Sequence, residues 1–350
     1  MRLGFLSDGW LACCFCLGAF CGVACGAQAA NGTDAAAMPV AELRKLVANG
    51  HDAEAVEQAE AWRAKQPGTS GLDLVEGDAL YNLGRLTEAE AAYGRALAAD
   101  PHDQAAAQMR GLTLFRIGRP KDAIPLLETN HASGAQTRAD PTYVLALCYM
   151  DTLRYDDARG AFAAQYGFPP DSAPAYLVTA RMLLRREFKP IARQYAEKSL
   201  SLRPDLPGAH ELLGEIDLGA NHLDEAIAEF GKEREINPLE GVIYERLGDA
   251  YSRKAQYTDA QRVLQQAVLL EPNATGPYIL LGKVLLKEGQ PTGAMTFLQK
   301  AETMDPANYM THNLLAQTYR AVGRTADASR EVALTEQIQA ADEPKLAAPK

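Results

Sequence analysis

The chain has 350 residues, with 45 Asp and Glu against 35 Lys and Arg, for a net charge of −10. With a pI near 5.2 and no long basic tract, it repels phosphate, and no nucleic-acid partner is expected. Five of the six cysteines lie within residues 13–25, leaving only Cys148 beyond them. The remainder of the chain has no internal disulfide and depends on packing alone.

The first thirty residues differ from the rest. No charge occurs between Asp8 and Asp34, and an apolar stretch over 10–23 precedes Ala27, Gln28, Ala29 and Ala30. That order predicts a secretory signal over 1–29 with an A-x-A-like cleavage site near Ala29, then a linker over 30–35. Arg2 is the only basic side chain ahead of the apolar stretch, and Asp8 intrudes. Two alternatives stay open. Cys25 could be lipidated, although Gly22 stands where such a box usually has Leu, or the segment could stay as an anchor, since its uncharged run is long enough to span a bilayer. A membrane is expected as a partner only through this segment.

From residue 36 onward the chain repeats. Ala55, Ala89, Ala123, Ala158, Ala192, Ala226, Ala260, Ala294 and Ala328 are spaced by 34 residues, apart from a single step of 35 between the third and fourth. A fixed period of this kind marks an array of stacked units rather than a single core. Proline follows twelve residues after the alanine at Pro67, Pro101, Pro170, Pro204, Pro238, Pro272 and Pro306. Five residues before it stand Gly50, Gly84, Gly118, Asn221, Gly289 and Gly323, all of which tolerate a left-handed backbone. The predicted units begin near 36, 70, 104, 139, 173, 207, 241, 275 and 309, and the array ends near 342. The extra residue is placed within 133–139. Repeat three lacks the terminal proline and carries Pro125 early in its second helix, so local distortion is expected there.

One unit explains the spacing. In repeat seven, Tyr244, Leu247, Gly248 and Tyr251 share one helical face; after a turn, Ala260, Val263, Leu264, Ala267 and Val268 form a second. Gly248 and Ala260 are small where two helices cross at about 8–10 Å. Pro272 ends the second helix, because it has no N–H and disfavours the α region for Glu271. Cys148 occupies a slot that is Ala250 in repeat seven, which predicts a buried, inert thiol.

This pattern resembles the tetratricopeptide repeat (TPR). That family favours an aromatic at position 4, Leu at 7, Gly or Ala at 8, Tyr at 11, Ala at 20, an aromatic at 24, Ala at 27 and Pro at 32. Repeat two offers Gly77, Ala89, Tyr93, Ala96 and Pro101, and repeat four offers Leu145, Ala146, Tyr149, Ala158, Phe162 and Pro170. Repeat eight offers Tyr278, Leu281, Gly282, Ala294, Ala301 and Pro306, and repeat nine Leu315, Ala316, Tyr319 and Ala328. The resemblance implies an all-α, right-handed α-solenoid of about nine helix-turn-helix repeats, and a non-enzymatic role in binding a protein or peptide. No cofactor or metal is expected.

The family's concave groove lies on the first helices, at positions 2, 5, 9, 12 and 13. Carried over, these give Leu74, Asp78, Tyr81, Gln108, Leu112 and Phe115 in repeats two and three, then Tyr143, Leu147, Met150 and Asp151 in repeat four and Leu177 in repeat five. This half is mainly apolar, suited to the side chains of a peptide. The other half is charged in blocks: Arg181 and Arg185, Glu211 and Glu215, Glu245 with Asp249 and Arg253, Lys283 and Lys287. Members of each block are four apart and point the same way, and neighbouring blocks mostly alternate in sign. They are read as a ladder of bridges between repeats; the competing reading has Arg181 and Arg185 receive a partner's carboxylate. TPR proteins that hold a chaperone's C-terminal carboxylate pair Lys at position 5 with Asn at position 9, and no repeat has that pair.

Catalytic motifs fail on inspection. His210-Glu211-Leu212-Leu213-Gly214 begins like the zinc motif H-E-x-x-H but has glycine where the second histidine belongs. His210 and His312 both sit at position 4, which predicts packing roles. Gly276–Lys283 is spaced wrongly for a phosphate loop, and Val284 replaces the magnesium-binding hydroxyl. The alanine-rich composition and single later cysteine place the expected setting in a bacterial cell envelope, periplasmic or secreted. The alternative is a membrane-tethered assembly factor or spacer. The final residues, 343–350, contain two prolines and are expected to be disordered.

Overall fold

A computed structural model of the protein describes residues 40–129 and 140–342. The predicted signal, the linker, the site of the extra residue and the 343–350 tail lie outside the described residues.

Each predicted unit is a helix pair. The pairs run α1 (Val40–Ala48) and α2 (Asp52–Lys65), α3 (Leu72–Asn82) and α4 (Leu86–Ala99), α5 (Gln104–Arg116) and α6 (Pro120–Glu128). Next come α7 (Pro141–Asp151) and α8 (Tyr155–Tyr166), α9 (Ala173–Arg185) and α10 (Lys189–Leu202), α11 (Ala209–Gly219) and α12 (Leu223–Ile236). The last are α13 (Gly241–Arg253) and α14 (Tyr257–Leu270), α15 (Thr275–Lys287) and α16 (Pro291–Met304), α17 (Tyr309–Ala321) and α18 (Thr325–Asp342). No strand occurs among the described residues. Every helix packs on its chain neighbours, and most first helices also touch the next first helix. The core is therefore strung along the array as successive clusters, the architecture of an all-α solenoid.

The alanine ladder acquires a physical meaning. Each of the nine alanines is the fourth residue of its second helix, and none exceeds 2% exposure. The small residue at position 8 meets the residue at position 24 of the same unit. A Cβ on Gly248 would lie 2.4 Å from Leu264 Cγ, and one on Gly214 would lie 2.6 Å from the Phe230 ring. Glycine there lets the two helices approach until a large side chain fills the crossing.

The turn between paired helices is left-handed in every unit. The predicted glycines and Asn221 adopt positive φ, as do Leu153, Glu187 and Ala255, which composition alone does not mark. Geometry imposed by packing on both flanking helices overrides the residues' own preference in those three turns. Ala255, at φ 59°, gives up roughly 1 kcal/mol relative to glycine. Ala255→Gly is accordingly expected to raise the urea midpoint by an amount equivalent to roughly 1 kcal/mol, with no change in helical circular dichroism.

Distortion at repeat three is present. α6 has 9 residues, with Pro125 inside it, against 14 in α4, α10, α12, α14 and α16. Cys148 is fully buried, and burial pushes its thiol up to about 12, which keeps it protonated and unreactive.

Candidate functional site

The first helices carry the predicted groove, and the structure treats its two halves differently. Toward the N-terminus the wall is partly consumed by its own contacts. The Arg116 guanidinium lies 4.6 Å over the Tyr81 ring, and Tyr143 stands edge-on to Phe162 at 5.8 Å. Phe115, Tyr143 and Leu147 are half-buried against the core cluster that runs from repeat three to repeat six. Met150 has no exposed surface and belongs to that cluster with Leu145, Ala180 and Leu183. It is therefore corrected from a groove residue to a core residue, its unbranched side chain filling space between units. Leu112 and Gln108 are likewise buried, and Leu177 retains only 8% exposure.

Asp78 is the polar exception in this half. It is half-buried on α3 and accepts a hydrogen bond from Tyr93 Oη at 2.9 Å. Burial raises its carboxyl to about 6, outweighing the opposing Tyr93 bond and Arg44, with Asp103 adding repulsion. The folded chain thus holds a proton that the unfolded chain releases. The stability tied to this group is complete below its ordinary value of 3.8 and is lost as pH rises through about 6. Asp78→Asn keeps an acceptor for Tyr93. The variant is expected to exceed the parent by about 2 kcal/mol at neutral pH and to match it near pH 4, as read by urea unfolding.

In the charged half, some blocks bridge between units as expected. Arg181 Nη2 meets Glu211 Oε2 at 3.0 Å and the carbonyl of Gly208 at 3.3 Å. Glu215 is paired at 3.2 Å, but with Arg246, a residue outside the predicted set. Arg246 sits at position 6, and only the packed geometry brings it to the neighbouring repeat. Arg253 turns back on its own helix to Asp249 at 3.0 Å and donates to the carbonyl of Leu218 at 3.2 Å. Such partly exposed pairs contribute about 0–1 kcal/mol each. Arg185, Lys283 and Lys287 have no ion-pair partner among the described residues.

Glu245, Arg246, Asp249, Arg253 and Lys283 come together around a cavity of about 430 Å³, which Ile279, Leu280 and Met310 also line. It spans α13, α15 and α17. Burial raises the Glu245 carboxyl above its ordinary value; Arg246 opposes the shift, while Glu271 and Asp249 add to it. Glu211 shifts the same way, first through burial, against Arg181 and with Glu215 and Glu233. The lining combines three apolar side chains with a lysine, two arginines and two carboxylates.

Neither decoy motif forms a catalytic centre. His210 Nδ1 lies 2.6 Å from Glu229 Oε2, across its own helix pair, while Glu211 faces Arg181. Gly276 lies in the first turn of α15 with the Glu245 carboxylate against it, so the place a phosphate would take is already anionic. A recurrent contact missed from sequence joins adjacent units. Tyr244, Tyr278 and His312, all at position 4, bond the carbonyls of Pro238, Pro272 and Pro306 at 2.9, 3.1 and 2.8 Å. The 34-residue recurrence, from Pro170 to Pro306, of a polar ring six residues after the proline was the available signal.

Comparisons with known proteins agree with this geometry. One tetratricopeptide-repeat family model matches residues 74–130 and 245–309, and a second matches 285–348. The tetratricopeptide repeat domain-containing protein PYG7, chloroplastic, of Arabidopsis thaliana is 26% identical over 106 residues, covering 29% of this chain and 35% of that protein. The match thus takes in about a third of that relative's length. Among solved structures, MamA from Desulfovibrio magneticus RS-1 is 21% identical with a TM-score of 0.47, over 50% of this chain and 98% of MamA. YrrB, described as a TPR protein with an unusual peptide-binding site, is 21% identical with a TM-score of 0.45, over 54% of this chain and 95% of YrrB. With the buried alanine ladder and the glycine crossings repeating at one spacing, the family-model matches identify the chain as a tetratricopeptide-repeat protein.

Proposed function

We propose that the protein is a non-enzymatic scaffold of the cell envelope that binds a protein or peptide segment along the groove of its first helices. The observation that carries this reading is the cavity on α13, α15 and α17, where apolar and charged side chains line the same space and Lys283 has no ion-pair partner among the described residues. A partner with an acidic side chain or terminal carboxylate beside an apolar residue fits that combination. Arg185 at the end of α9 and Lys287 at the end of α15 are likewise without an ion-pair partner among the described residues.

Crosslinking in intact cells followed by capture of the full chain identifies the partner. Lys283→Glu with Lys287→Glu, and Arg185→Glu separately, are then expected to lower capture about tenfold each while helical content is unchanged. Arg181→Glu is a poorer probe, because it also breaks the link to Glu211 and Gly208. Undiminished capture by both sets of variants would assign the charged half a purely structural role. The uncharged leader carries the competing reading of a tethered assembly factor or spacer. Fractionation of native protein and of a Cys25→Ser variant decides it: a soluble native protein eliminates the tether.

A further inference from the structure

Two units contain the same histidine–glutamate pair in different electrostatic settings. In repeat six, His210 Nδ1 meets Glu229 Oε2 at 2.6 Å, and Lys232 Nζ neutralises the other oxygen at 2.7 Å. In repeat nine, His312 Nδ1 meets Glu331 Oε2 at 2.7 Å, with both residues at 3% exposure. Three units separate the two places, and the register exchanges two neighbours. Leu334 stands where Lys232 stood, and Glu302 stands where Leu200 stood. Repeat nine has therefore lost a cation and gained an anion around an otherwise equivalent pair.

The result is a partly buried cluster of Glu302, His312 and Glu331 whose ligand-capable atoms all lie within 4.8 Å of one another. Arg330 does not compensate: it is 3.9 Å from the far oxygen of Glu331, mostly exposed, and held 2.6 Å from Asp327. The histidine ring is oriented with Nδ1 toward the carboxylates. Its Nε2 faces the carbonyl of Pro306 at 2.8 Å. A carbonyl and a carboxylate both only accept, so both ring nitrogens donate in the metal-free chain, and a metal would take the place of the Nδ1 proton. A ring nitrogen that donates to a backbone carbonyl while the other faces the ligand set is the usual arrangement of a metal-bound histidine.

We propose that Glu302, His312 and Glu331 form a binding site for a divalent cation of the zinc class, which ties α16, α17 and α18 together at the last repeat. One imidazole and two carboxylates suit such an ion, with a fourth position left for water. Ligand atoms about 3–3.5 Å apart around a tetrahedral centre require a small widening of the present His312–Glu331 contact and an inward shift of Glu302 from a separation of up to 4.8 Å.

The test uses the full chain with Co²⁺ as a spectroscopic probe and Zn²⁺ as competitor. One equivalent of Co²⁺ is expected to give the visible absorption of a four-coordinate nitrogen–oxygen site, lost on adding Zn²⁺, and Zn²⁺ is expected to raise the thermal midpoint relative to EDTA. Glu331→Gln should weaken binding at least tenfold. Glu302→Leu combined with Leu334→Lys rebuilds the repeat-six setting; it should fold and lose the band. His210→Ala should leave the band unchanged. The cysteines at 13–25 are a second place for these metals, so absorption that survives both the Glu331 and the Glu302 variants would overturn the assignment. So would a parent chain whose midpoint is the same in Zn²⁺ and EDTA.

Discussion

Glu233→Ala is expected to destabilise the protein by about 2–4 kcal/mol, the amount set by leaving one buried and one half-buried backbone donor without an acceptor. Glu233 lies on α12 with 1% exposure, in a slot occupied by Ala96, Ala267 and Ala301 in other units. Its carboxylate accepts from the backbone N–H of Gly208 at 2.8 Å and of Glu211 at 3.2 Å, and also from the Asn237 side chain. The reason for an acid there is local. α11 begins at Ala209, two residues into its unit, after Gly208 at φ +80°, and has no side-chain cap of its own. A carboxylate supplied from the paired helix satisfies those amides and complements the helix dipole. Glu233→Gln keeps one acceptor oxygen and should retain about half of the stability. Urea unfolding of the two variants, with hydrogen exchange at Gly208 and Glu211, measures both. Equal stability of parent and alanine variant would mean that water replaces the cap.

Gly214→His completes the H-E-x-x-H pattern in sequence, and the expected product is an unfolded repeat six rather than a zinc site. A single Cβ at this position already comes within 2.6 Å of the Phe230 ring, itself wholly buried. An imidazole has nowhere to go without separating α11 from α12. The cost is at least about 3 kcal/mol, the upper part of the range for overpacked cores. Gly214→Ala should cost about 1–3 kcal/mol for the same reason, and Phe230→Leu should relieve part of it. Circular dichroism and the urea midpoint report the loss, and zinc added to the histidine variant is expected to restore nothing. A folded, zinc-binding variant would show that the crossing has slack that the packed Phe230 ring denies.

Much of the fold was legible because its determinants are local and repeat. The alanine at position 20 and the glycine at position 8 recur at one spacing since each unit solves the same crossing problem. The distortion at repeat three was legible for the opposite reason, as Pro125 breaks the rule. The groove was less legible. Position number places a residue on the inner face of its own helix but says nothing of how far the next unit covers it, so Met150 looked accessible and is enclosed. Arg246 was passed over because its partner, Glu215, is 31 residues away and meets it only when α11 and α13 stack.

The period, the paired helices, their turns at glycine and their crossings at small residues follow from the order of residues alone, because each rests on backbone sterics and contacts within one unit. Which charges pair between neighbours and which face the groove emerges when the units stack. Packing also decides that Leu153, Glu187 and Ala255 take a left-handed turn, and that Glu233 caps a helix it does not belong to. Those outcomes depend on distances between units, and a linear spacing of residues carries no measure of how closely one helix pair settles on the next.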